Sequence, residues 1–159
     1  MSTIAPASFV LSPNEGRTPM PLNIVRQEVL VKATGADTTG RFAFFHLTAP
    51  TMSGPPLHVH TKEDELFYVL EGELVFQIAN ERVTAGPGTT VFFPRGIVHT
   101  YQNFSQEPAR LLILVTPAGF DSFFEELSAG TVPGQLPDME FFTNLLGKYG
   151  MTMVGPPLS

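Results

Sequence analysis

Apolar and polar positions alternate from Ile24 to Ala33, with Val25, Gln27, Val29 and Val31 set against Ile24, Glu28 and Leu30, the pattern of a strand. Gly35–Gly40 reads as a turn. Arg41–Ala49 is the next strand, with Phe42, Phe44 and His46 on one face and Ala43, Phe45 and Leu47 on the other. A Pro- and Gly-rich loop over Pro50–Leu57 leads to short strands at His58–His60, Glu65–Leu70, Glu73–Ile78, Arg82–Val83, Thr89–Phe93, Ile97–Gln102 and Arg110–Thr116. Glu71–Gly72 makes the tight turn between two of them. Strands this short and evenly punctuated predict an all-β barrel or sandwich of the jelly-roll kind, not alternating strands and helices.

The period then changes. Phe120, Phe123, Phe124 and Leu127 recur at helical spacing, and Ser122 with Glu125 reads as a capping box, with Gly130 as the stop. A second helix is predicted from Asp138 to Leu146, with Asp138 as N-cap and Gly147 as terminator. The apolar faces of both helices need burial against the barrel, so residues 22–159 read as a single domain with a short C-terminal helical tail. Residues 1–21 read as an irregular N-terminal arm, broken by Pro6, Pro13, Pro19 and Pro21. Its apolar residues Phe9, Val10 and Leu11 are available to pack on the body or on a partner.

Composition narrows the chemistry. The 159 residues include no cysteine, which excludes disulfides, Cys-ligated zinc, iron–sulfur clusters and thiol nucleophiles. The net charge of −6 and nine scattered basic residues argue against a nucleic-acid or anionic-membrane surface. Apolar runs such as Leu111–Val115 fall far short of the roughly 20 residues that span a bilayer. Met1–Leu11 lacks the basic and apolar regions of a signal peptide, so the expectation is a soluble cytoplasmic protein.

Of the four histidines, three sit in patterned places. His58 and His60, at i and i+2, present both imidazoles to one face of a strand. Glu65 is odd in parity, but the polar stretch Thr61–Asp64 reads as a bend that returns it to the face shared with Phe67 and Val69. Glu63 is the rival carboxylate if the bend differs. His99 lies in a later strand with Ile97 and Tyr101 as same-face neighbours. Three imidazoles and a carboxylate converging inside an apolar barrel make sense together as metal ligands, whereas each alone is an expensive buried polar group. His46 shares a face with Phe42 and Phe44 and reads as a packed or rim histidine, or as a base behind the ligands if that face lines the interior. Phe67, Phe76, Phe92 and Phe93 are at positions suited to core packing. Pocket-lining candidates are Phe44, Phe67, Tyr101, Phe120, Phe123 and Phe124.

At this point the residues carry a resemblance. Gly54-Pro-Pro-Leu-His58-Val-His60, four residues, Glu65, six residues and Gly72 resemble the first motif of the cupin superfamily. Gly88, five residues, Pro94-Arg-Gly96, two residues, His99, three residues and Asn103 resemble the second. Together they span Met52–Asn103. One departure is visible: the family's opening glycine falls at Met52. The resemblance implies a cupin jelly-roll barrel in which His58, His60, Glu65 and His99 hold one divalent metal ion: Fe, Mn, Ni, Cu, Co or Zn. It also implies a small-molecule substrate coordinated at that ion and a homodimer.

The layout, including the closing Tyr149–Leu158 segment, is similar to single-domain quercetin-dioxygenase-like cupins. That likeness implies a metal-dependent dioxygenase acting on a small aromatic, enolic or phenolic substrate, with Glu65 as base. Tyr101 is the second candidate catalytic residue, as a polar pocket contact. The alternatives are a non-oxidative metal-dependent isomerase, cyclase, lyase or decarboxylase, and a small-molecule-binding protein without catalysis. Arg95 reads as a solvated turn residue or as a contact for an anionic substrate.

Overall fold

The structure, a computed structural model, describes residues 7–159; the part of the N-terminal arm over residues 1–6 lies outside it. The described residues form eleven strands and two helices: β1 (Leu22–Ile24), β2 (Gln27–Ala33), β3 (Ala43–Ala49), β4 (Leu57–His60), β5 (Asp64–Glu71), β6 (Leu74–Ile78), β7 (Glu81–Ala85), β8 (Thr90–Phe93), β9 (His99–Gln102), β10 (Ala109–Thr116), α1 (Phe120–Ala129), α2 (Met139–Lys148) and β11 (Met151–Gly155). They make two sheets, one of six strands in the order β1-β2-β3-β10-β5-β8 and one of five in the order β11-β4-β9-β6-β7. Every paired strand is antiparallel. This is the expected all-β jelly-roll, built as two facing sheets. No helix among the described residues is long and apolar enough to cross a membrane.

Strict alternation fills the space between the sheets. In β3, Ala43, Phe45, Leu47 and Ala49 are buried while Phe44 and His46 are half-exposed, so the outward face is the one carrying His46. β10 does the same with Ala109, Leu111, Ile113 and Val115. From the smaller sheet Leu74 and Phe76 meet them. Phe92, predicted as core, is instead 54% exposed, because Val91 and Phe93 take the inward positions of β8.

Several boundaries differ from the sequence reading. The strand predicted over Ile24–Ala33 is a hairpin: Val25 (φ 48°) and Arg26 (φ 67°) reverse the chain, and Ile24 pairs with Gln27. Two successive positive φ values are the geometry of a two-residue turn that usually selects Asn-Gly. Val-Arg in that place left no turn signal. Helix α1 starts at Phe120 with Gly119 as N-cap and no side-chain cap, so the Ser122–Glu125 capping box does not form. Asp121 instead accepts from the backbone N–H of Gly35 at 3.0 Å and fastens the helix to the turn before β3.

Asp138 does cap α2, accepting from Phe141 N–H at 2.9 Å. The helix runs past Gly147 and stops where Gly150 adopts φ 73°. That turn releases β11, which the sequence reading did not predict as a strand and which pairs with β4. Phe123, Phe124 and Leu127 of α1 and Phe142, Leu145 and Leu146 of α2 join the core between the sheets. Phe124 meets Phe45 edge-on at 5.0 Å.

Residues 7–21 form no strand or helix. Phe9 and Val10 are exposed, Phe9 lying against the Arg17 guanidinium, while Arg17 N–H donates to Val31 O at the open edge of β2. Lys32 donates to the carbonyls of Ser12 and Pro13, lacing the arm to the same strand.

Candidate metal centre

The Pro55-Pro56 approach ends in β4, whose His58 sits directly opposite His99 of β9. Two residues on, His60 shares the face, and all three rings gather with centroids 4.5–5.4 Å apart. Glu65 comes from the other sheet. The bend at Thr61–Glu63 lets β5 start at Asp64, and the pleat of β5 turns Glu65 inward with Phe67 and Val69. Ligand-capable atoms of His58, His60, Glu65 and His99 lie within 4.8 Å of one another. Glu65 Oε2 is 2.7 Å from His99 Nε2 and 3.4 Å from His60 Nε2.

The opposite ring nitrogens explain the orientation. His58 Nδ1–H donates to Pro56 O at 2.7 Å and His99 Nδ1–H to Ile97 O at 2.9 Å. His60 Nδ1–H donates to the buried Glu63 carboxylate at 3.1 Å. Protons held on Nδ1 leave all three Nε2 lone pairs aimed toward Glu65. Glu63 therefore stands behind His60, and Glu65 is the carboxylate that joins the cluster. These supporting partners were not readable from spacing, since two are backbone carbonyls that any residue supplies.

The donor set fits a divalent cation. His60 Nε2 is buried without a hydrogen-bond partner. With the His99 proton on Nδ1, its Nε2 lone pair and a carboxylate oxygen face each other at 2.7 Å, an arrangement that needs a positive centre between them. Burial pushes the His58 pKa down to about 3, aided by the neighbouring His99 and His60, so this ring is neutral and ready to ligate. Burial acts to raise the Glu65 pKa, but protons carried by His60 and His99 outweigh it and hold the group at about 2, ionised; a cation among the three Nε2 atoms would take over that part from the protons. Three neutral nitrogens and one oxygen anion suit borderline first-row metals better than Ca²⁺ or Mg²⁺.

The cluster opens on an inner cavity of about 70 Å³. Its polar walls are His58, Glu65, His99, Gln27 and Tyr101; every other lining residue is apolar, including Phe67, Phe120, Phe123 and Phe124. An outer cavity of about 430 Å³ shares Val25, Pro56, Phe142 and Met153 with it and is lined further by Leu136, Met139 and Pro156. Phe93 stacks on His99 with centroids 4.2 Å apart. Beside the cluster, β11 sets Met153 opposite His58 and Met151 opposite His60, and both methionines line the inner cavity.

The remaining candidates sort by strand parity. Phe44 and His46 lie on the outer face of the larger sheet, away from the cavity. Arg95 is paired with Asp64 through its side chain at 3.1 Å and its backbone N–H at 2.9 Å. Tyr101 lines the cavity, but its hydroxyl donates to Gln27 Oε1 at 2.7 Å. Gln27 was missed as a site residue; the available signal was a polar side chain in phase with the inward Val29 and Val31. The motif glycines and Asn103 take structural places. Gly72 and Gly96 have φ 76° and 83°, and Asn103 Nδ2 donates to Ala49 O and Glu107 O at 2.9 Å each. Met52, at the family's glycine position, has φ 55°.

Comparison with known proteins agrees with this geometry. Residues 45–115 match the Cupin domain family. The chain is 28% identical over 97 residues to quercetin 2,3-dioxygenase of Bacillus subtilis, covering 61% of this chain and 28% of that protein. It is 37% identical over 79 residues to the rhicadhesin receptor of Pisum sativum, covering 46% of this chain and 34% of the relative. The chain thus spans about a third or less of either curated relative. A conserved Klebsiella pneumoniae protein with a double-stranded β-helix domain superposes with a TM-score of 0.55 at 20% identity, over 71% of this chain and 93% of that one, which shows the shared fold. With both motifs folded around one cluster of three histidines and a glutamate, the chain carries a cupin domain.

Proposed function

We propose that residues 22–159 act as one unit, a metal-dependent enzyme of the dioxygenase type, with His58, His60, Glu65 and His99 holding a divalent ion. The observation that carries this reading is the convergence of three Nε2 atoms and Glu65 on one point at the wall of an aromatic cavity. A divalent ion there would polarise a coordinated enol, phenol or carboxylate and, if redox-active, activate dioxygen. The chain's own part is positional. Phe67, Phe120, Phe123 and Phe124 exclude water and suit a flat, uncharged ring. Glu65 is the one carboxylate in the cavity wall and accepts the acidic proton of the substrate.

The deciding experiment is metal analysis of tag-free protein, followed by turnover of small phenols and enols with and without oxygen. Stoichiometric metal with oxygen consumption supports the proposal. Metal without oxygen uptake favours the non-oxidative lyase or isomerase reading. Protein that holds no metal, with His58→Ala leaving its properties unchanged, would overturn both.

The chain is further proposed to pair with a second copy through the outer face of the larger sheet. Phe44, Leu114, Leu66 and Phe92 form a row across four neighbouring strands, beside a second row of Leu30, His46, Leu112 and Tyr68. Leu66, Tyr68, Leu70 and Phe92 are exposed. A flat apolar sheet face is self-complementary across a two-fold axis, and this patch supplies the apolar core of an interface of about 800 Å² per partner. The segment Val25–Val31 offers no comparable face, because Val29 and Val31 are buried and β1 covers part of the strand's edge.

A further inference from the structure

The Val25–Arg26 turn fixes the register of β1 and β2, and with it places Gln27 on the inward face beside Val29 and Val31. A leucine would satisfy the packing there. Instead the wall of the cavity carries an amide that is only 4% exposed, among Ile24, Leu47, Phe67, Ile113 and Phe124. Burying an amide is unfavourable unless its hydrogen bonds are made. Half of that requirement is met: Tyr101 donates its hydroxyl to Gln27 Oε1 at 2.7 Å. Gln27 Nε2 has no partner.

The pairing sets the polarity of the amide. Tyr101 is itself buried, and its phenol O–H is directed at Gln27 Oε1 and donates to it. Oε1 is therefore the end engaged by the phenol, and Nε2, with two N–H groups, is the end left to give. Two rings pack against Tyr101, Phe67 at 5.7 Å and Phe76 at 5.8 Å between centroids. Apart from the ligand cluster, Gln27 and Tyr101 are the polar residues lining this cavity.

We propose that Gln27, oriented by Tyr101, is the hydrogen-bond donor that selects the ligand of this cavity. The ligand is an apolar molecule bearing an oxygen that accepts a hydrogen bond (a carbonyl, carboxylate or enolate), which Nε2 binds at a point separate from the histidine cluster. This rests on the cavity being the substrate site and extends it by naming a second polar contact. Gln27 thus confers specificity, and Tyr101 positions it. A site built to donate rejects an analogue that lacks the acceptor, because the donor is then left unpaired.

The test compares two probes of equal shape, acetophenone and α-methylstyrene, which differ in C=O against C=CH₂. Binding is measured by calorimetry on the full chain, both metal-loaded and chelator-treated, with metal content determined for every variant. Wild type is expected to prefer acetophenone by about tenfold in both states. Gln27→Leu is expected to bind the two probes equally while keeping its metal. Tyr101→Phe keeps the amide but frees its orientation, and is expected to show a reduced preference, which covers the case of a poorly folded Gln27→Leu. No preference in wild type, or an undiminished preference in either variant, overturns the assignment. A wild-type preference that Gln27→Leu abolishes in a chain holding no metal would sustain the Gln27 role while removing the metal-enzyme reading, so the two failures are distinguishable.

Discussion

Glu63 accepts the Nδ1–H of His60 at 3.1 Å, on the side of the ring turned away from Glu65. The two carboxylates two residues apart thus have different tasks: one faces the cluster and the other fixes the ring that completes it. Groups in the position of Glu63 hold tautomer and angle, and their loss costs about 10–100-fold in metal affinity. Glu63→Gln is expected to weaken metal binding by that amount in a chelator-competition titration. Unchanged affinity would show that His60 needs no such support.

Metal removal carries its own expectation. A ligand that binds only the folded state at 100 times its Kd adds about 2.7 kcal/mol, or about 5–10 °C in Tm for a chain of this size. Chelation of the loaded protein should therefore lower Tm by several degrees, and His58→Ala or His99→Ala should remove the chelator's effect. A Tm that ignores the chelator in the wild type would contradict the site.

Met52 has φ 55°, a left-handed conformation that disfavours a side chain, and its own side chain is 54% exposed. The backbone is held by Met52 N–H donating to Asn103 O at 2.7 Å. Met52→Gly relieves the strain, offset in part by the greater freedom of glycine when unfolded. A gain of about 0.5–1 kcal/mol is expected by denaturant unfolding.

Asp37 accepts two hydrogen bonds from the Arg17 guanidinium and two from Thr34. The Arg17 bonds, aided by Thr34, hold its carboxyl below the ordinary value. A carboxyl whose folded-state pKa is depressed contributes stability that is complete above its unfolded value, near 4, and is lost as pH falls through the folded one. Asp37→Asn should therefore be less stable than wild type at neutral pH, with the difference vanishing toward acid. Parallel stability–pH curves for the two proteins would refute this.

The outer face of the larger sheet provides the test of assembly. Leu66 and Phe92 are opposite one another in the ladder and both exposed. Leu66→Lys with Phe92→Glu should convert a dimer into a monomer in sedimentation analysis, with the circular dichroism unchanged. A wild type that sediments as a monomer at micromolar concentration would remove the proposed interface.

The legible parts of this molecule were those with a local cause. Parity placed His58 and His60 on one face, Asp138 announced a helix start, and the helical spacing of Phe120, Phe123, Phe124 and Leu127 marked a buried stripe. The turn at Val25–Arg26 was not legible, because its residues lack the preference its dihedrals demand. Helix α1 begins earlier than the Ser122–Glu125 spacing suggested, because Asp121 binds both the N-cap backbone at Gly119 and Gly35, 86 positions away. Phe92 was misplaced because a run of apolar residues does not declare which of them faces in.

Periodicity along the chain carried the jelly-roll class, and the spacing of the two motifs named His58, His60, Glu65 and His99 as candidates, since both are properties of neighbouring positions. The tertiary structure alone decided that Glu65 of one sheet meets His58, His60 and His99 of the other, that β11 pairs with β4, and that Gln27 and Tyr101 face each other across 74 positions. Those relations depend on how two sheets are laid face to face, and nothing local in the chain encodes a contact between residues so far apart.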